Sequence, residues 1–111
     1  MQTATSFTNR NKINPYLVNE ITNASPAQQI MKVYDFAILK CQKEDMLKTN
    51  EALQVLINCL NFEDEAAKEI SIGLLRLYQY CQEQMRKSNY KEAHKILSEL
   101  RDTWLDALKN R

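Results

Sequence analysis

From residue 25 to residue 109 the apolar side chains recur at spacings of three and four, with no sustained alternation, so the chain is predicted to be helical throughout. At about 100° per residue, Ala27, Ile30, Met31, Tyr34, Ala37, Ile38 and Cys41 collapse onto one stripe. Met46, Leu53, Leu56, Ile57 and Leu60 form a second stripe. Ala66, Ala67, Ile70, Leu74, Leu77, Tyr78, Cys81 and Met85 form a broader third, and Ala93, Ile96, Leu97, Leu100, Trp104 and Ala107 a clean fourth.

The helix ends are written in capping residues. Ser25 is an N-cap with Pro26 at the first helical position and Gln28 completing a capping box, and this helix is expected to reach about Lys43. Asp45 caps the second, which runs to Leu60. Asn61 caps the third, which places Glu63, Asp64 and Glu65 at the positive end of the helix dipole and Arg86 and Lys87 at the negative end. Ser88 and Asn89 separate it from a fourth helix over about Tyr90 to Lys109. Four helices with such short connections predict an all-α fold, an antiparallel up-down four-helix bundle with a short N-terminal helix or arm. Residues 1–12 are polar and expected to be a disordered arm, while 13–111 form one helical domain. Within it, "INPYLVNEI" makes a short helix with Asn14 as cap and Pro15 behind it.

A second set of apolar residues does not join these stripes. Val33, Phe36 and Leu39 lie roughly 100–160° from the centre of the first stripe, among Lys32, Lys40 and Lys43. Ala52, Val55 and Cys59 stand on the back of the second helix, Ile72 and Leu75 on the back of the third, and Leu105 on the fourth. Isolated exposed apolar residues are ordinary. Three helices with the same habit predict an apolar groove, and grooves between helices accept amphipathic helices. Val33, Phe36, Leu39, Val55, Cys59, Ile72 and Leu75 are the candidate partner-binding residues.

Composition narrows the function further. With 15 Lys and Arg against 14 Asp and Glu, interspersed, the chain has no field to gather nucleic acid or an anionic membrane. No apolar run is long enough to insert in a membrane, and "MQTATSFTNR" lacks the plan of a signal peptide, so a cytoplasmic protein is expected. Cys41, Cys59 and Cys81 stand in separate segments and read as reduced thiols. His94, the single histidine, has no metal-like neighbour and reads as a solvated surface residue. No phosphate loop, nucleophile elbow or metal motif is present, so neither an enzyme nor a cofactor is expected. The competing interpretation is a self-associating structural bundle, at its weakest a loose homodimer, whose outer faces pair two copies.

"NPY" at 14–16, "ASPAQQIMKVYDFAI" at 24–38, "LLRLYQY" at 74–80 and "LSELRDTW" at 97–104 occur in one order and together resemble the FliS family of cytoplasmic flagellin export chaperones. The resemblance implies a bundle that binds the disordered C-terminal region of flagellin, prevents premature polymerisation and presents it to the flagellar export apparatus. A chaperone for another secretion substrate is the nearest alternative. The resemblance further implies that the segment before the first long helix covers the site as a lid, here with Ile13, Tyr16, Leu17, Val18 and Ile21 as its apolar residues. Two departures stand out. Phe36 follows "YD" where the family usually has Gly, and the chain between Tyr34 and Asp45 is shorter than the family's by about two helical turns, which preserves the phase of the core stripe.

Overall fold

The computed structural model describes Ile21 and residues 27–109. The arm expected over 1–12, residues 13–20 of the short helix and the Ser25–Pro26 cap lie outside the described residues. Within them are four helices and no strand: α1 (Ala27–Gln42), α2 (Met46–Asn58), α3 (Glu65–Arg86) and α4 (Tyr90–Lys109). The fourth helix has the bounds expected from sequence, and α1 and α2 end one to two residues early.

Two of the three connections are the same device. After α1, Glu44 takes a left-handed φ of 58°, the Asp45 N–H bonds back to the Lys40 carbonyl and the Glu44 N–H to that of Cys41. After α3, Ser88 takes φ 63°, with Asn89 bonding to Gln84 and Ser88 to Met85. Both are Schellman closures, which satisfy the last carbonyls of the helix. Glycine usually occupies that left-handed position, yet the chain's one glycine, Gly73, lies inside α3. Asp45 then opens α2 by accepting the Lys48 N–H at 3.1 Å.

The third connection corrects the sequence reading. Asp64, not Asn61, caps α3, accepting the Ala66 N–H at 2.8 Å, so Glu65 alone of the three acids enters the first turn. Asn61 is used in the connection itself. Its Oδ1 accepts from the Glu63 N–H at 3.0 Å and its own N–H donates to the Ile21 carbonyl at 2.9 Å. Asp and Asn cap equally well, so residue type alone does not say which of them does.

Each helix packs on its chain neighbours, and α4 closes back onto α1. Cross-helix pairs set the directions. Cys41 meets Tyr90, Gln42 meets His94, Asp35 meets Arg101 and Tyr34 meets Trp104, so α1 and α4 run antiparallel. Tyr34 with Tyr78 and Cys41 with Met85 show that α1 and α3, diagonal in the bundle, run parallel.

The core contains Ile21, wholly buried, with the inward stripes of all four helices. At its centre Trp104 Nε1 donates to the Tyr34 hydroxyl at 2.9 Å, and the Tyr34 and Tyr78 hydroxyls bond at 2.5 Å. Burial holds both phenols well above the ordinary tyrosine range. Several core positions were not legible as such. Thr49 and Thr103 are buried because each hydroxyl donates back to a carbonyl one turn earlier, at 2.8 Å and 3.0 Å. Gln84 is buried because its Oε1 accepts from Asn89 Nδ2 at 2.8 Å. Ala66, placed inward by the sequence pattern, is exposed, and Ala52, placed on the back, is buried.

Candidate binding cleft

The seam between α1 and α2 is built differently from its neighbours. No side-chain hydrogen bond or ion pair joins residues 27–42 to residues 46–58 among those described; the contacts are apolar. Val33 and Phe36 from α1 and Ala52 and Val55 from α2 line an open cleft of about 340 Å³, rimmed by Lys32 and Glu51. Ala52 forms its floor, Val33 is half-buried, and Phe36 and Val55 are 43% and 46% exposed. The Lys40 ammonium stands 5.4 Å from the centre of the Phe36 ring.

The structure therefore brings together Val33, Phe36 and Val55 of the candidate residues. Cys59, half-buried, follows Val55 by one turn on the same side of the chain. Leu39 is exposed one turn beyond Phe36, rotated about 60° toward the α4 flank. Ile72 and Leu75 are half-buried on α3, and Leu75 packs on the core. They belong to the other side of α2, where Asn50 and Gln82 exchange two hydrogen bonds of 3.2 Å between side-chain amides and backbone carbonyls. The exposed α2 ridge of Glu51, Gln54 and Asn58 separates the two apolar surfaces. Of the candidate lid residues only Ile21 is described; Ile13, Tyr16, Leu17 and Val18 lie outside the described residues.

Sequence reasoning missed Ala52 as the cleft floor, the Lys32 and Glu51 rim, and two further exposed apolar residues, Leu47 at 70% and Phe62 at 38%. Arg101 ties α4 to Asp35 of α1, with Asp102 4.0 Å away. His94 is half-buried, its Nε2 accepting from the Gln42 amide at 3.2 Å.

Two other depressions open at the turn end of the bundle. One, of about 340 Å³, includes Cys41, Gln42, Glu44 and His94; the other, of about 540 Å³, includes Gln84, Ser88, Asn89 and Glu92. Both also include Tyr90 and Lys91, and their walls mix charged and amide side chains with apolar surface. The core thiols are chemically quiet. Burial pushes Cys81 up to about 12 and raises Cys41, so neither offers a thiolate near neutrality. Among the described residues no three His, Cys, Asp or Glu side chains gather as metal ligands, and no helix is long and apolar enough to cross a membrane.

An apolar seam on a four-helix bundle suits a binding protein, and the sequence motifs point to one family. The family model of the flagellar protein FliS matches residues 9–111. The chain belongs to the FliS family. No individual curated protein and no solved structure shows significant similarity to it. The FliS match extends from the segment before α1 through α4 and so includes both walls of the cleft. It identifies a flagellum-related chaperone. This FliS chain keeps an open seam with the half-exposed Phe36 ring as part of its wall.

Proposed function

We propose that this protein is a non-enzymatic cytoplasmic export chaperone that binds the disordered C-terminal region of flagellin, blocks its premature polymerisation and hands it to the flagellar export apparatus. The observation that carries this reading is the open apolar cleft of Val33, Phe36, Ala52 and Val55 in a FliS-family bundle. Flagellin's terminal segments associate as amphipathic helices, and a groove between two helices offers such a segment substitute apolar contacts.

The N-terminal segment is the proposed competitor for that site. Ile13, Tyr16, Leu17 and Val18 form its displaceable part. Ile21 is assigned to anchor it, because it is fully buried and its carbonyl is held by Asn61. Removing residues 1–18 is expected to strengthen flagellin binding while sparing the anchor; unchanged or weaker binding contradicts the lid.

The test of the main reading is a calorimetric titration of the full chain with the C-terminal segment of flagellin from the same organism, alongside a Phe36→Asp, Val55→Asp variant. Saturable one-to-one binding, lost in the variant, is the expected result. No binding by the native chain, together with a mass that rises with concentration, contradicts it and favours self-association through the same face.

A further inference from the structure

The cleft seam does not end at its apolar walls. Val33 and Val55 face the same cleft from helices joined by the tight turn at residues 43–45. Seven residues toward that turn from Val33 is Lys40, and seven toward it from Val55 is Lys48. Seven residues are about two turns, so each lysine lies on nearly the same line of its helix as its valine, about 10 Å nearer the turn. Two cations are therefore set across one seam. Among the described residues neither has a carboxylate within ion-pair distance, and Lys32 on the α1 rim has none either. The nearby Asp45 carboxylate is engaged by the Lys48 backbone N–H, and Glu51 is the one acid lining the cleft. In the free chain Lys40 leans over the Phe36 ring, and a ligand that covers Phe36 displaces the Lys40 ammonium toward the turn.

From this charge pattern we infer that the cleft selects an amphipathic helix with a carboxylate side chain one heptad from its apolar stripe. The stripe fills the space over Ala52 between Val33, Phe36 and Val55, and the carboxylate lies between Lys40 and Lys48. An incoming carboxylate gains two attractions from cations that have no carboxylate within ion-pair distance among the described residues. The inference deepens the proposed function and rests on the cleft being a docking site for a helical segment.

The test uses the full chain and two synthetic helical peptides with identical apolar stripes, one bearing Glu and the other Lys at the position one heptad away. At about 50 mM salt the Glu peptide is expected to bind about tenfold more tightly, the gap closing at about 500 mM. A Lys40→Glu, Lys48→Glu variant, both substitutions being near the surface, should reverse the preference. Equal binding of the two peptides, binding of neither, or a preference that survives in the variant overturns the inference. The flagellin segment separates it from the functional reading. If that segment binds with no dependence on the two lysines, the charge selection alone fails. If the peptides discriminate as expected while the flagellin segment does not bind, the selection stands and the flagellin assignment fails.

Discussion

The two flanks of α1 follow opposite designs. Against α4 it is bolted by directional contacts: Trp104 on Tyr34, Arg101 on Asp35, Gln42 on His94 and the Cys41 thiol on the Tyr90 carbonyl. Against α2 it has apolar contact and an open cleft. One flank fixes the geometry of the bundle, which frees the other to expose side chains such as Phe36 and Val55 that stability alone would not place in water. Stability and the proposed binding accordingly fall to different residues of one helix. Mutations should separate them.

The largest separation is expected from the open flank. Phe36→Asp with Val55→Asp should weaken binding of the flagellin segment at least about a hundredfold, since apolar anchors dominate such interfaces. Because both residues are nearly half exposed, urea unfolding should shift by less than about 1 kcal/mol. A collapse of the fold would show that this flank also stabilises the bundle.

The bolted flank should give the converse. Tyr34→Phe removes the acceptor of the buried Trp104 N–H and the partner of Tyr78. An expected cost of about 2–3 kcal/mol, read by urea denaturation, follows from leaving buried polar groups unpaired. Tyr78→Phe leaves the Trp104 bond intact and should cost about 1 kcal/mol.

Alkaline titration tests the same core. Cys81 stays protonated in the folded state up to about 12, whereas the unfolded chain releases that proton from about 9 upward. The folded state therefore binds more protons, and stability must fall as pH rises through this window, by about 1.4 kcal/mol per unit for this group. Cys41 adds to the loss, and Tyr34 and Tyr78 do so above about 10. Cys81→Ala should flatten the slope between pH 9 and 10, measured by denaturation at each pH. An unchanged slope would place the linked proton elsewhere.

The smallest effect belongs to the outermost bolt. Arg101→Ala should cost about 0.5–1 kcal/mol, because Asp35 is 55% exposed and solvent screens the pair. Flagellin binding should be unaffected, which a titration of this variant checks.

How much of this was legible in the sequence depended on distance. The helices of the bundle and the clean α4 stripe follow from local spacing and caps. The α3 start did not, because Asn61 and Asp64 are equivalent caps by residue type, and Asn61 instead holds the connection through Glu63 and through Ile21, forty residues upstream. The Tyr34 cluster was hidden for the same reason: its members read as apolar stripe residues, and their hydroxyl and indole partners are 44 and 70 positions away. The surplus apolar residues were visible, but a helical wheel does not say which neighbour each flank meets. That is why Leu75, legible as an outlier, proved to pack on the core across the α2/α3 seam, while Ala52 proved to be the floor of the cleft.

The division of labour on α1 is tested most directly by following backbone amide shifts of the full chain by NMR as the flagellin C-terminal segment is added. The expected result is a perturbation centred on Val33, Phe36, Ala52 and Val55, with Asp35, Gln42 and their α4 partners little changed. A perturbation centred on the α1/α4 flank, or on Ile72 and Leu75 across α2, would contradict it.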